Sequence, residues 1–255
     1  MAVDIPTAAA VVLAGGTGSR FGAGRNKVYL PLAGKRVISW SLLAMARVTE
    51  VGRLVLTVRP EDRELAAEII DDELPGVPVE VIDGGGSRHD SERCALAHLA
   101  PAVRAGEVDV IAIHDGARPL VTPSLVRGVL QAARAGDAVL PGIPAHDLVR
   151  VDADGAVVDG DGLDAAVRAQ TPQAAPAGAL IAAYDAAAAA GFDGSDTAAC
   201  VESFGGVAVR WIRGEARNIK LTYAQDLVLA EQILAADYAG GSGPSVMEVR
   251  AEGSR

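Results

Sequence analysis

The chain has 255 residues, half of them hydrophobic and 22% charged, with a net charge of −10 at neutral pH. That length builds one large α/β domain or two small ones with ample core, and the acidic balance argues against a nucleic-acid partner, because a polyanion would meet a repelling surface. The two cysteines, Cys94 and Cys200, stand far apart without a C-x-x-C spacing, which argues against a disulfide framework or a zinc site and for a reducing compartment.

In chain order, residues 8–14 read as a strand, 37–46 as a helix, 54–58 as a strand, 61–72 as a helix and 79–82 as a strand. A helix at 91–103, a strand at 108–113, a helix at 123–135 and a strand at 138–143 continue the alternation. Strands that are apolar throughout, separated by amphipathic helices, predict an α/β fold with a Rossmann-like, mostly parallel sheet and helices on both faces. The apolar run at 8–14 is too short to span a membrane, Asp4 precedes it in place of a basic region, and no cleavage site follows. The expectation is a soluble, cytoplasmic protein with no membrane partner.

The alternation breaks at 144–169, where Asp-Gly pairs at 154–155 and 161–162 stand beside short Val-containing runs. This segment is predicted to be a β-hairpin-like arm that packs on a second subunit of a homodimer. A helix at 177–190, a strand at 207–212 and a helix at 224–236 follow. Residues 1–238 are expected to form a single domain, and the Gly/Ser-rich stretch 239–255 a disordered tail.

Ligands of such sheets bind beyond the carboxyl ends of the strands. The loops at 15–27, 84–91 and 114–119 therefore meet at one rim. The first of them packs five glycines and three cations into thirteen residues, from Gly15 to Lys27. It is no P-loop, since no Gly-Lys-Ser/Thr occurs, and no dinucleotide fingerprint, since Phe21 stands where the third glycine of G-x-G-x-x-G belongs. What remains is a loop of backbone N–H groups with Arg20 and Lys27 as cations, suited to a polyphosphate.

Leu13-Ala14-Gly15-Gly16-x-Gly18-x-Arg20, followed by Asn26-Lys27-Val28-Tyr29-Leu30-Pro31-Leu32, resembles the signature of GT-A-type nucleotidyltransferases. In particular it is similar to the cytidylyltransferases acting on 2-C-methyl-D-erythritol 4-phosphate and on ribitol 5-phosphate. Gly84-Gly85-x-x-Arg88-x-Asp90-Ser91, His114-Asp115-Gly116-Ala117-Arg118-Pro119, Gln170-Thr171-Pro172-Gln173, Ser195-Asp196 and Asn218-Ile219-Lys220-Leu221-Thr222 extend the likeness over about residues 8–236.

The resemblance implies that Ala14, Gly15, Gly16 and Gly18 line the cytosine and triphosphate of CTP, with Gly85 and Ser91 helping to recognise the base. It implies Arg20, Lys27 and Lys220 as the catalytic cations, and Asp115 beside the nucleotide and its Mg²⁺ cofactor. Arg118 and Asp147 fall on the side of the acceptor, a small polyol phosphate. The implied reaction makes a CDP-alcohol from methylerythritol phosphate for isoprenoid precursors. Ribitol 5-phosphate or another polyol phosphate is the alternative acceptor, and a silent nucleotide-binding paralogue the alternative of another class, opposed by the retained Arg20, Lys27, Asp115 and Lys220.

Several polar residues have a plainer reading. Ser91 is a candidate N-cap of the helix at 91–103, Lys220 a solvated strand-end lysine, Asp226 a first-turn acid of the last helix, and His98 an ordinary helix residue. The sequence also departs from the family pattern. Asn26 and Val28 flank Lys27 where Pro and Gln are usual, and Gly86 replaces an acid. In the arm, Leu148 replaces a Thr and Leu163 an Arg that contact the acceptor's phosphate, with Arg168 or Arg150 as candidate substitutes.

Overall fold

In the computed structural model, which describes residues 7–16, 26–158, 166–192, 194 and 196–239, the first apolar run forms strand β1 (Thr7–Leu13). A short hairpin of β2 (Pro31–Leu32) and β3 (Lys35–Arg36) leads into α1 (Val37–Ala46), β4 (Val51–Val58), α2 (Arg63–Glu73) and β5 (Glu80–Asp83). Then come α3 (Arg88–Arg104), β6 (Val108–Asp115), α4 (Pro123–Ala133), β7 (Ala138–Pro144), β8 (Arg150–Val151) and β9 (Val157–Val158). The chain closes with β10 (Val167–Ala169), β11 (Gln173–Pro176), α5 (Ala177–Ala189), α6 (Thr197–Phe204), β12 (Val209–Arg213) and α7 (Ala224–Ala239).

The sheet runs β7-β11-β6-β1-β4-β5, with β10 and β12 also paired to β7. β1 is parallel to β4 and β6, β4 to β5, and β12 to β7, whereas β10 and β11 run antiparallel to their neighbours. Because side chains alternate along a strand, β1 feeds two cores. Ala8, Ala10 and Val12 pack with Ile38, Leu42 and Met45 of α1 and Val126 and Leu130 of α4. Ala9, Val11 and Leu13 pack with Leu96 and Leu99 of α3 and Leu180 and Tyr184 of α5. A third cluster, with Trp40, Leu120, Leu221 and Leu234, docks α7 beside the β2–β3 hairpin.

The mostly parallel α/β sheet with helices on both faces is as predicted, and the differences are local. The helix expected at 61–72 opens as a 3-10 turn (Pro60–Asp62) before α2. α3 begins three residues before Ser91, because the Ser87 hydroxyl accepts from the Asp90 N–H and caps the helix. The N-cap reading of Ser91 is thereby corrected. Asp226 does cap the last helix, accepting from Thr222 and Tyr223 N–H at 2.6 and 2.8 Å.

The segment 144–169 holds the expected hairpin, β8 against β9, turning at 154–155 with Gly155 at φ +86°. Its return limb, however, re-enters the main sheet as β10, and β11 wedges between β6 and β7. Gly18, Arg20, the pair at 161–162, Leu163, Ser195 and the tail at 240–255 lie outside the described residues. No helix among the described residues is long and apolar enough to cross a membrane.

Candidate active site

The register of the two central strands sets Leu13 opposite Asp115, so the loops after β1 and β6 leave the sheet side by side. Their junction is tight: the Gly116 N–H donates to the Leu13 carbonyl at 2.9 Å, and a Cβ on Gly116 would stand 2.8 Å from that oxygen. The Ala14 N–H donates to Thr57 O at 2.8 Å, and Ala14 O accepts from Asn26 Nδ2 at 2.5 Å. Asn26 is buried, and its Oδ1 accepts from the Val28 N–H, capping the 3-10 turn (Lys27–Tyr29). This departure from the family pattern thus has a local task. It ties the turn that carries Lys27 to the end of β1.

The loop before α3 approaches from the other side. Ser91 Oγ donates to Ser87 O at 2.9 Å and accepts from the Gly85 N–H at 3.2 Å. A Cβ on Gly85 would fall 2.2 Å from Asp90 Cβ, so only glycine admits this path. Ser91 therefore shapes the loop while its hydroxyl faces Gly15, whose own Cβ position lies 3.4 Å away.

At the centre stands Asp115, with three cations around it. Lys220 Nζ lies 2.7 Å from Oδ2, Arg88 Nη2 3.4 Å from Oδ1 and Arg118 Nε 3.8 Å from Oδ2. Burial alone would push this carboxyl up. Arg88, Lys220 and Arg118 outweigh it and hold the group well below the usual carboxylate range. Arg118 spends its other donors on Asn218 O at 2.7 Å and Ala169 O at 3.3 Å. Gln170 and Asn218 add bonds to Glu215 O and Thr171 O. The loop that presents Lys220 is braced from behind.

His114 locks the same corner. Its Nε2 donates to Arg118 O at 3.2 Å, which leaves Nδ1 to accept from the Thr171 hydroxyl at 3.0 Å, while Thr171 Oγ1 accepts from the Asp115 N–H. Burial pushes the imidazole down to about 4, against about 6.5 in an unfolded chain. Between these values the unfolded state binds a proton that the folded state refuses. Stability therefore falls as pH drops through that window, by up to about 1 kcal/mol per pH unit from this group, and is unaffected by it above. Denaturant titrations from pH 7 to pH 5 should show a shallower loss for His114→Asn than for the parent. Parallel curves would refute the buried neutral imidazole.

The three loops enclose a cleft of about 370 Å³ whose walls include Gly15, Gly16, Asn26, Lys27, Arg88, Ser91, Asp115 and Lys220. Six of the sequence-predicted residues thus come together: Gly15, Gly16, Lys27, Ser91, Asp115 and Lys220. Ala14, Gly85 and Arg118 are not in the wall itself: Ala14 is bonded to Thr57 O, Gly85 to Ser91 Oγ, and Arg118 pairs with Asp115. Asp147 lines no part of this cleft, and pairs with Arg168 on an exposed surface. Arg88, in the motif Gly84-Gly85-x-x-Arg88, also lines the cleft, a place that the sequence motif alone does not announce. Its i,i+4 spacing to Glu92 was the available signal.

This sheet, with a charged cleft at the carboxyl ends of its central strands, is an α/β nucleotidyltransferase fold. A family model described as IspD: 2-C-methyl-D-erythritol 4-phosphate cytidylyltransferase matches residues 8–236. The chain belongs to that family. A 2-C-methyl-D-erythritol 4-phosphate cytidylyltransferase of Halorhodospira halophila is 39% identical, with 90% of this chain and 95% of that protein covered. A bifunctional enzyme IspD/IspF of Dinoroseobacter shibae is 34% identical over 90% of this chain, which spans only 54% of that longer protein. Among solved structures, 4-diphosphocytidyl-2C-methyl-D-erythritol synthase from Anaerococcus prevotii superposes with a TM-score of 0.78 at 26% identity, covering 91% of this chain and 98% of that one.

Proposed function

We propose that the protein transfers the cytidylyl group of CTP onto 2-C-methyl-D-erythritol 4-phosphate, releasing pyrophosphate. The observation that carries the reading is the convergence of Lys27 and Lys220, from opposite ends of the sequence, on one cleft that also holds Asp115. The backbone of Gly15 and Gly16 offers N–H groups to the triphosphate. An oxygen of the acceptor's phosphate attacks the α-phosphorus in line, and the bond to the bridging oxygen of pyrophosphate breaks. Lys27 and Lys220 offset the charge gathering on the α-phosphate. No general base is needed, because a phosphomonoester is largely dianionic at neutral pH. Arg118, paired with Asp115 and bonded to the Asn218 and Ala169 carbonyls, is the cation for the acceptor's phosphate.

Mg²⁺ typically takes one or two carboxylates together with substrate phosphates. The donor set fits that mode: Asp115 offers one ionised carboxylate in the cleft, and no cluster of three or more His, Cys, Asp or Glu exists among the described residues. Asp115 would hold the ion, whose chemistry when bound is charge neutralisation at the phosphates. Lys220, 2.7 Å from Asp115 in this structure, is within the same cleft and would be free to pair with the α-phosphate once the carboxylate has another cation. The unpaired Cys94 and Cys200 support a cytoplasmic setting.

The arm supports a homodimer. Leu148, Val149, Val151, Val157 and Val158 are all exposed on the hairpin and its approach, an apolar surface of the kind that marks an interface. Replacing 149–158 with a short Gly-Ser linker, which spares β10, should convert a dimer to a monomer by light scattering. A parent that is already monomeric refutes the arm's role. The function itself is tested by pyrophosphate release with CTP, Mg²⁺ and a panel of polyol phosphates. Methylerythritol phosphate should give the highest kcat/KM. A higher value for ribitol 5-phosphate would move the acceptor assignment, and CTP binding without release from any of them would mark a silent paralogue.

A further inference from the structure

Glu92 is buried on α3, one turn beyond Arg88 and outside the cleft. A buried carboxylate is expensive unless its lone pairs are satisfied, and here three helices supply partners. Arg88 Nη1 lies 2.5 Å from Oε1, the Thr197 hydroxyl donates to Oε1 at 3.0 Å, and the Tyr184 hydroxyl donates to Oε2. Arg88 itself is the link forward: it lines the cleft and reaches Asp115 Oδ1 at 3.4 Å.

Buried ion pairs add little net stability compared with apolar packing of the same shape, so this arrangement calls for another reason. The guanidinium is shared between two carboxylates. Glu92 draws it back, and its contact to Asp115 stays longer than the 2.7 Å contact made by Lys220. Without Glu92, Asp115 would be the one carboxylate left in ion-pair contact with Arg88 among the described residues, with Asp196 acting on it from farther off. Arg88 Nε and Nη2 already face Asp115 Oδ1, both at 3.4 Å, and the fork would then draw in to a short pair, blocking the carboxylate that the cleft needs. We propose that Glu92 is a positioning residue of this active site, holding Arg88 in the cleft wall at a distance that leaves Asp115 available.

The inference rests on the cytidylyltransferase reading, and its test is a double-mutant cycle on kcat/KM, run in parallel on CTP affinity by calorimetry. Glu92→Gln keeps the shape and removes the charge. It should lower kcat/KM about tenfold in the parent, yet change it less than about twofold in an Arg88→Gln background. A residue that merely supports the fold would produce the same loss in both backgrounds. That result, or an unaltered rate in the parent, overturns the proposal. Should Glu92→Gln fail to melt cooperatively, Thr197→Val removes one of its donors and keeps the charge. An approximately threefold loss confined to the Arg88 background supports the role, and an equal loss in both, or none, contradicts it. A parent that releases no pyrophosphate at all would strike the functional reading, while the affinity cycle still decides on Glu92.

Discussion

Lys27→Ala should lower kcat/KM by about a thousandfold, equivalent to roughly 4 kcal/mol of transition-state stabilisation, with cooperative unfolding retained. The size follows from where the ammonium sits. Lys27 opens a 3-10 turn whose cap, Asn26, is bonded both to Ala14 O at the end of β1 and to the Val28 N–H. The backbone that presents the lysine is thus fixed to the strand end by groups the substitution does not touch. In a cleft, a fixed cation stabilises charge that develops on a phosphate far more than a solvated lysine would, since no reorganisation accompanies the step. Val28 and Tyr29 supply the buried part of the turn, and these the substitution leaves in place. Steady-state pyrophosphate release and thermal melting check both halves. An unchanged rate, or a matching collapse of the fold, would remove Lys27 from the machinery.

Lys220→Ala should cost about a hundredfold in kcat/KM. Its ammonium lies 2.7 Å from Asp115, but the loop that carries it is held by other groups, through the bonds from Arg118 and Gln170 to Asn218 O. Removing the side chain leaves Asp115 facing Arg88 and Arg118, so the carboxylate keeps compensating charge and the site keeps its shape. On the proposed mechanism, what is lost is one of the two cations that offset charge on the α-phosphate. Lys220→Arg should recover only part of the rate, because a planar fork does not reproduce a compact ammonium. Equal rates for parent and Lys220→Ala would return this residue to the plainer reading of a solvated lysine.

Much of this site was legible before the fold. The apolar run of β1 followed by glycines, and the His114-Asp115 pair ending another apolar run, locate the rim by the general rule for parallel sheets. The link to Lys220 was not legible from spacing, because 105 residues separate it from Asp115 and only the return of the chain through β11 and the loop at 214–220 joins them. β11 was missed for a physical reason: Gln173–Pro176 is short and alanine-rich, with none of the β-branched residues that mark strands, and its place is set by the strands on either side. The plainer reading of Ser91 as a cap rests on Ser starting helices, yet Ser87 has the same chemistry one turn earlier and takes the position. Glu92 carries no signal of its own in the sequence. Its burial depends on α5 and α6 closing over α3, which no local pattern announces.

A crystal structure with CTP and magnesium bound tests the account most directly. It should show the triphosphate in the cleft between the ends of β1 and β6, with Lys27 on the α-phosphate and Lys220 moved off Asp115 to join it. A nucleotide bound elsewhere, with Lys220 still resting on Asp115 and Lys27 turned to solvent, would contradict it.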